Sequence, residues 1–267
     1  MYGFRAKNLD LGQISDSGQT FRWREISAGT FEIPALGRRL LITQKDDLFQ
    51  AECDEDEWKE VWEPYFDLSF DYEGVGKLIM SSQDEYLKSA FKSGSGIRIL
   101  RQDLWEMIIT FMISQNNNIP RIRGSVEKLC ERCTVDGHFP KAEEMDPDIF
   151  DDRSLGLGYR APYLREMCIY AAGHPGLADE LKAMEYEEAK QKLLSFKGIG
   201  EKVANCVLLF GLHHVDAFPV DTHIRKILSE HYPEGFPLEK YKGCAGIVQQ
   251  YMFYADLGAK AKQGAGK

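Results

Sequence analysis

Residues 194–204 read Leu194-Ser195-Phe196-Lys197-Gly198-Ile199-Gly200-Glu201-Lys202-Val203-Ala204, two helical patterns joined by a pair of glycines around one apolar residue. Gly198 and Gly200 permit positive φ and close backbone approach, while Ile199 plugs the gap between the helices. Glu201 opens the second helix, whose first N–H groups have no partner within the helix and can hold a phosphate oxygen. Any tight turn between helices can use Gly-x-Gly, so the hairpin alone leaves a purely structural role open.

The residues that follow narrow the choice. Lys202 falls in the first turn, where the positive end of the helix dipole disfavours a second positive charge, and burial disfavours it further. Both effects favour the neutral amine that a nucleophile requires. Nineteen residues on stands Asp221, within Phe218-Pro219-Val220-Asp221-Thr222-His223. Asp221 has the position of an N-cap, after a chain stiffened by proline. An N-capping aspartate is commonplace. A Gly-x-Gly-x-Lys hairpin followed at this distance by Pro-Val-Asp-Thr-His is not.

Around this centre the chain reads as helical. Apolar periodicity predicts helices over 104–113, 122–133, 163–172, 187–196, 201–212, 222–231 and 245–257. The first ninety or so residues read mainly as strand, with short runs at Phe21-Arg22-Trp23, Thr30-Phe31-Glu32-Ile33 and Arg39-Leu40-Leu41-Ile42 between Gly and Pro punctuation. One helix is expected at 54–65, with Trp58, Val61, Trp62 and Tyr65 on a single face. The expected architecture is α+β: an antiparallel sheet domain over 1–95 packed on a helical domain over 96–257. A tail over 258–267 has nothing to bury and is expected to fray.

Composition sets broader bounds. A chain of 267 residues with 43% hydrophobic and 28% charged residues matches an ordinary globular protein with room for two subdomains. No apolar run is long enough to span a bilayer and no secretory leader is read, so no membrane partner and a cytoplasmic location are expected. Six cysteines form no regular framework and are expected to be reduced. The single CxxC, Cys130 to Cys133, has only His138 nearby and falls short of a zinc site, so neither metal nor organic cofactor is expected.

The net charge of −9 argues at first against a nucleic-acid partner. Residues 46–73, however, hold twelve acidic side chains and one lysine, a local charge of −11, which leaves +2 on the other 239 residues. Screening confines such charge to roughly 8 to 10 Å, so an acidic segment facing away from a duplex is compatible with DNA binding elsewhere.

The hairpin, Lys202 and Asp221 together resemble the helix-hairpin-helix, Gly-Pro-rich, Asp superfamily of base-excision DNA glycosylases. Four further segments resemble the 8-oxoguanine DNA glycosylases in particular, in a compact prokaryotic form. They are Gly18-Gln19-Thr20-Phe21-Arg22-Trp23, Ser114-Gln115-Asn116-Asn117-Asn118-Ile119-Pro120-Arg121, Gly156-Leu157-Gly158-Tyr159-Arg160-Ala161 and the stretch from Gln249 to Leu257. The resemblance implies a monomer acting at the nucleoid on double-stranded DNA that contains oxidised guanine. It implies that Lys202 attacks the sugar of a flipped nucleotide, that Asp221 stabilises the cationic sugar, and that a Schiff base forms and β-eliminates.

The same resemblance gives the other residues their expected tasks. The carbonyl of Gly18 accepts from N7–H of the lesion, Cys206 and Phe253 sandwich the base, and Gln249 reads its Watson–Crick edge. Tyr159 wedges into the emptied stack, while Asn116, Arg121 and Arg160 bond the orphaned cytosine. Gly198, Gly200 and His223 meet backbone phosphate. The iron–sulfur branch of the superfamily is disfavoured, since only Cys244 follows Asp221. An alkylated-base glycosylase, which shares the layout without the lysine, and a non-catalytic DNA-binding module remain as alternatives.

Overall fold

Alternating apolar residues build the N-terminal sheet of the computed structural model, which describes residues 1–264. Five antiparallel strands, β1 (Tyr2–Arg5), β2 (Arg24–Ser27), β3 (Thr30–Ala35), β4 (Arg38–Lys45) and β5 (Leu48–Ala51), lie in the order β1-β5-β4-β3-β2. Phe31 and Ile33 of β3 and Leu40 and Ile42 of β4 turn to one core. Leu36 and Gly37, both at positive φ, form the two-residue turn that matches the twist of the flanking strands. The short helix α1 (Leu11–Asp16) precedes β2.

The core of the sheet is closed by residues 55–65, which form α2 (Glu55–Glu57), a π-helical turn (Trp58–Trp62) and α3 (Glu63–Tyr65). Trp58, Trp62 and Tyr65 are buried there as their spacing predicts, with Val61 half-buried. The run Phe21-Arg22-Trp23 is not a strand. It lies just before β2 and bridges the two cores, Phe21 packing with the helices and Trp23 with the sheet.

The strand-rich reading extends too far along the chain. The sheet ends at Ala51, and α4 (Tyr72–Ser81) and α5 (Glu85–Gly94) follow, capped by Asp71 and Asp84, which accept from the N–H groups of Gly74 and Leu87. Tyr72, Val75, Ile79, Leu87 and Ala90 belong to the helical core, while Leu100, further along the chain, belongs to that of the sheet. Both helices are short and amphipathic.

The remaining helices are α6 (Leu104–Ile113), α7 (Ile119–Cys133), α8 (Ala161–Gly173), α9 (Leu177–Ala183), α10 (Tyr186–Leu194), α11 (Glu201–Phe210), α12 (Thr222–His231) and α13 (Ala245–Gly264). The bounds of α6 and α12 are as expected, and each begins at an aspartate that caps it, Asp103 and Asp221. The helix α9 was not expected. The backbone of α13 continues past Gly258 to Gly264, where fraying was expected, and residues 265–267 lie outside the described residues. No helix among the described residues is long and apolar enough to cross a membrane.

Gln19 fastens the loop that carries Gly18 to the helical half. Its side chain is fully buried, donates to the Arg98 carbonyl at 2.9 Å and accepts from the Leu100 N–H at 2.9 Å. Gln102 donates to its backbone carbonyl at 2.9 Å. A loop held at three points across the seam presents its neighbour, Gly18, in one conformation.

Candidate active site

The hairpin after α10 uses its two glycines differently. Gly198 has φ +82°, and a Cβ there would meet the Cβ of Tyr163 at 2.6 Å. Gly200 is extended and is the N-cap of α11, with open space where its Cβ would stand. Positive φ is therefore needed at Gly198 alone, which corrects the reading of both. Ile199 is buried between the helices as expected. No side chain caps α11, so its first N–H groups are presented at the mouth of a cleft.

That cleft has a volume of about 790 Å³ and gathers Gly18, Asn116, Arg121, Tyr159, Gly200, Lys202, Asp221, His223 and Phe253. These residues come from six separate stretches of sequence and converge on one concavity. The acidic segment 46–73 contributes nothing to its lining.

Lys202 is half-buried, with its Nζ 2.9 Å from Ser114 Oγ and 5.3 Å from the centre of the Phe111 ring. Asp221 caps α12 by accepting from the Ile224 N–H at 2.9 Å, in the role its position predicts. Cys206 lies one turn along α11 from Lys202, buried beneath the cleft rather than lining it. Burial raises its thiol, Lys202 opposes that rise and Asp221 adds to it, so the three groups share one electrostatic environment.

Phe253 stands directly over Gly18. The φ of Gly18 is +74°, and a Cβ there would come 3.0 Å from Cε1 of the Phe253 ring. Gly18→Ala therefore combines left-handed strain of about 1–2 kcal/mol with displacement of the ring. For the base excision that the resemblance implies, the rate is expected to fall well below wild type while affinity for undamaged duplex is retained. Equal excision by the two proteins, measured in single turnover, would remove Gly18 and Phe253 from the pocket wall.

His223 is held against the same ring, 5.3 Å between centroids, with its Nδ1 2.6 Å from Asp256 Oδ2. Tyr159 is largely exposed and its hydroxyl reaches toward the Gln115 carbonyl at 3.4 Å. Asn116 is exposed with φ 45°, a left-handed conformation that asparagine tolerates better than most residues. Asn118, not Asn116, caps α7, and Pro120 sits in its first turn, where a missing N–H costs nothing. Arg121 stays exposed in the cleft.

Two predicted residues are engaged elsewhere. Arg160 is buried, and its guanidinium donates to the carbonyls of Gln115, Asn116 (2.8 Å) and Leu157 (3.1 Å). It clamps the asparagine turn, and would have to release those carbonyls to bond a base. Gln249 is also buried and lies outside the cleft lining. It donates to the Pro219 carbonyl at 3.0 Å and accepts from Gln250 at 3.2 Å, tethering the Pro-Val-Asp turn.

Sequence reasoning passed over Phe111, Ser114 and Arg225, all of which line the cleft. Ser114 opens the quoted asparagine motif, and Arg225 stands one helical turn beyond Asp221, so both could have been found by extending those motifs. No group of three or more His, Cys, Asp or Glu side chains among the described residues is arranged to hold a metal ion.

Comparison with known proteins agrees with this geometry. The profile of the 8-oxoguanine DNA glycosylase N-terminal domain matches residues 1–108, and that of the HhH-GPD superfamily base excision DNA repair proteins matches residues 109–236. The 8-oxoguanine glycosylase/lyase of Clostridium acetobutylicum, solved with double-stranded DNA containing cytosine opposite 8-oxoG, superposes with a TM-score of 0.86 at 30% identity, over 95% of this chain and 93% of that one. A probable N-glycosylase/DNA lyase of Methanothermobacter thermautotrophicus is 29% identical over 92% of this chain and 93% of its own length. The N-glycosylase/DNA lyase of Saccharomyces cerevisiae is 37% identical over 52% of this chain, a match that spans 43% of the yeast protein. With both halves matched, and the cleft built at the hairpin, the chain belongs to the 8-oxoguanine DNA glycosylase/lyase family.

Proposed function

We propose that this protein excises 8-oxoguanine from duplex DNA and then cleaves the strand at the resulting site, acting as a monomer on the nucleoid in the cytoplasm. The observation that carries the reading is the half-buried Lys202 in one cleft with Asp221, at the mouth of the helix-hairpin-helix. The Nζ lone pair forms a bond to the sugar C1′ as the glycosidic bond breaks, and the base leaves with that bond's electron pair and takes up a proton. Opening of the sugar ring gives a Schiff base. Loss of a C2′ proton then expels the 3′ phosphate by β-elimination. The Asp221 carboxylate lies where positive charge develops on the sugar, a preorganised electrostatic contribution.

Gly18 and Phe253 form the wall against the flipped base. The Gly18 carbonyl meets N7–H of the lesion but a lone pair on normal guanine, and the buried unmade bond costs about 1 to 3 kcal/mol. Cys206 and Gln249 are the second side of that pocket and its Watson–Crick reader, provided that Gln249 exchanges its bond to Pro219 for one to the base. Gly198, Gly200 and His223 face backbone phosphate. Asn116, Arg121, Tyr159 and Arg160 meet the gap and the base left opposite it. An alkylated-base enzyme of this layout, or a simple DNA binder, has no use for the amine beside Ser114.

Excision from duplexes carrying 8-oxoguanine opposite each of the four bases tests the reading. The wild type is expected to favour cytosine. Asn116→Gly, which keeps the left-handed backbone and removes the side chain, is expected to cost about 1 to 3 kcal/mol of that preference. Arg160→Ala, by loosening the turn itself, is expected to slow excision opposite every base. Equal wild-type rates opposite all four bases would sink the assignment of this surface.

A further inference from the structure

Every polar or π neighbour beneath the amine of Lys202 can be asked whether it gives or takes a hydrogen. Ser114, the residue that ends α6, donates its hydroxyl to the Phe111 carbonyl one turn back, at 2.8 Å. A serine hydroxyl has one proton, and that proton is committed. Ser114 is buried, so turning the proton away would leave the hydroxyl bond to Phe111 unmade in a place with little water. What Ser114 offers Nζ, 2.9 Å away, is therefore a lone pair. The Phe111 ring, 5.3 Å from Nζ, also presents negative charge on its face.

We infer that Ser114 and the Phe111 ring form an acceptor-only floor that aims the lone pair of the Lys202 amine into the cleft, with Ser114 as the positioning residue. Two N–H bonds of a neutral amine point down, one to Ser114 Oγ and one toward the Phe111 ring and the buried Cys206 sulfur, which also takes a hydrogen bond from the amine. The remaining tetrahedral direction is the lone pair, and it faces the concavity that also holds Asp221 and Gly18. A donor in the place of Ser114 would instead bond that lone pair and block attack. The arrangement reaches across 88 residues, from the end of α6 to the first turn of α11. This inference rests on Lys202 being the nucleophile.

The test is single-turnover excision and borohydride trapping at saturating lesion duplex, with Ser114→Ala and Ser114→Thr. Threonine keeps a hydroxyl able to donate to a carbonyl one turn back. Ser114→Ala is expected to slow Schiff-base formation about ten- to a hundredfold, the loss that follows from a misdirected reacting atom. Affinity for lesion duplex should be unchanged, and Ser114→Thr should recover most of the rate. In the background of Lys202→Gln, Ser114→Ala should have no further effect on base release. Wild-type rates for a folded Ser114→Ala protein would overturn the inference. So would a threonine variant that folds, binds lesion duplex and is as slow as alanine; if alanine unfolds the protein, threonine against wild type decides, and a rate as low as that expected of alanine overturns it. Continued trapping by Lys202→Gln would instead remove the nucleophile assignment itself, a separate failure that is read without touching Ser114.

Discussion

Lys202→Gln is expected to bring both base release and borohydride trapping down to background while lesion duplex is still bound. The substitution removes the only lysine amine that, among the described residues, lines the cleft with Asp221. The glutamine amide can still donate toward Ser114 Oγ, so the packing of α11 on α6 survives. The lost contact with the Phe111 ring is worth at most about 1 kcal/mol at a partly exposed site, which leaves the fold intact. Trapping on lesion DNA and a binding titration decide the matter together. A variant that traps at the wild-type rate places the nucleophile on another amine.

Asp221→Asn is expected to slow excision by about 10²–10³-fold, the range found when one preorganised group facing a developing charge is removed. Little stability should be lost. The asparagine oxygen can accept from the Ile224 N–H as the carboxylate does, and asparagine and aspartate are comparable N-caps. The melting transition must be recorded beside the rate. A protein with full specific activity and a large drop in melting temperature would make Asp221 a cap and nothing more.

That Lys202 and Asp221 share one cleft was legible because each sits in a short motif whose residue types are hard to explain otherwise. The helix bounds at α6 and α12 were legible for a similar reason, since an aspartate caps each one. The helices α4 and α5 were hidden by their brevity, and α5 is covered by α13, where Phe91 meets Tyr251 edge to face across 160 residues. Local pattern carries no record of such a partner. Arg160 shows the same limit, because its guanidinium is occupied by carbonyls 44 and 45 residues away. Gln249 is held by Pro219 across 30 residues, so the face it turns inward was settled by packing and not by its neighbours in sequence. Gly198 and Gly200 looked equivalent in the motif and are not.

That inequality has a consequence for descent. Gly198 answers to the chain's own interior, since Tyr163 fills the space any side chain would take. Gly200 answers to nothing inside the protein, because its backbone is extended and the volume beside it is empty. With Gly200 meeting phosphate as proposed, a lineage that kept this architecture but gave up that encounter would still be bound to the first glycine and released from the second. In such a lineage the two positions would drift at different speeds, and the second would record when the old trade was abandoned.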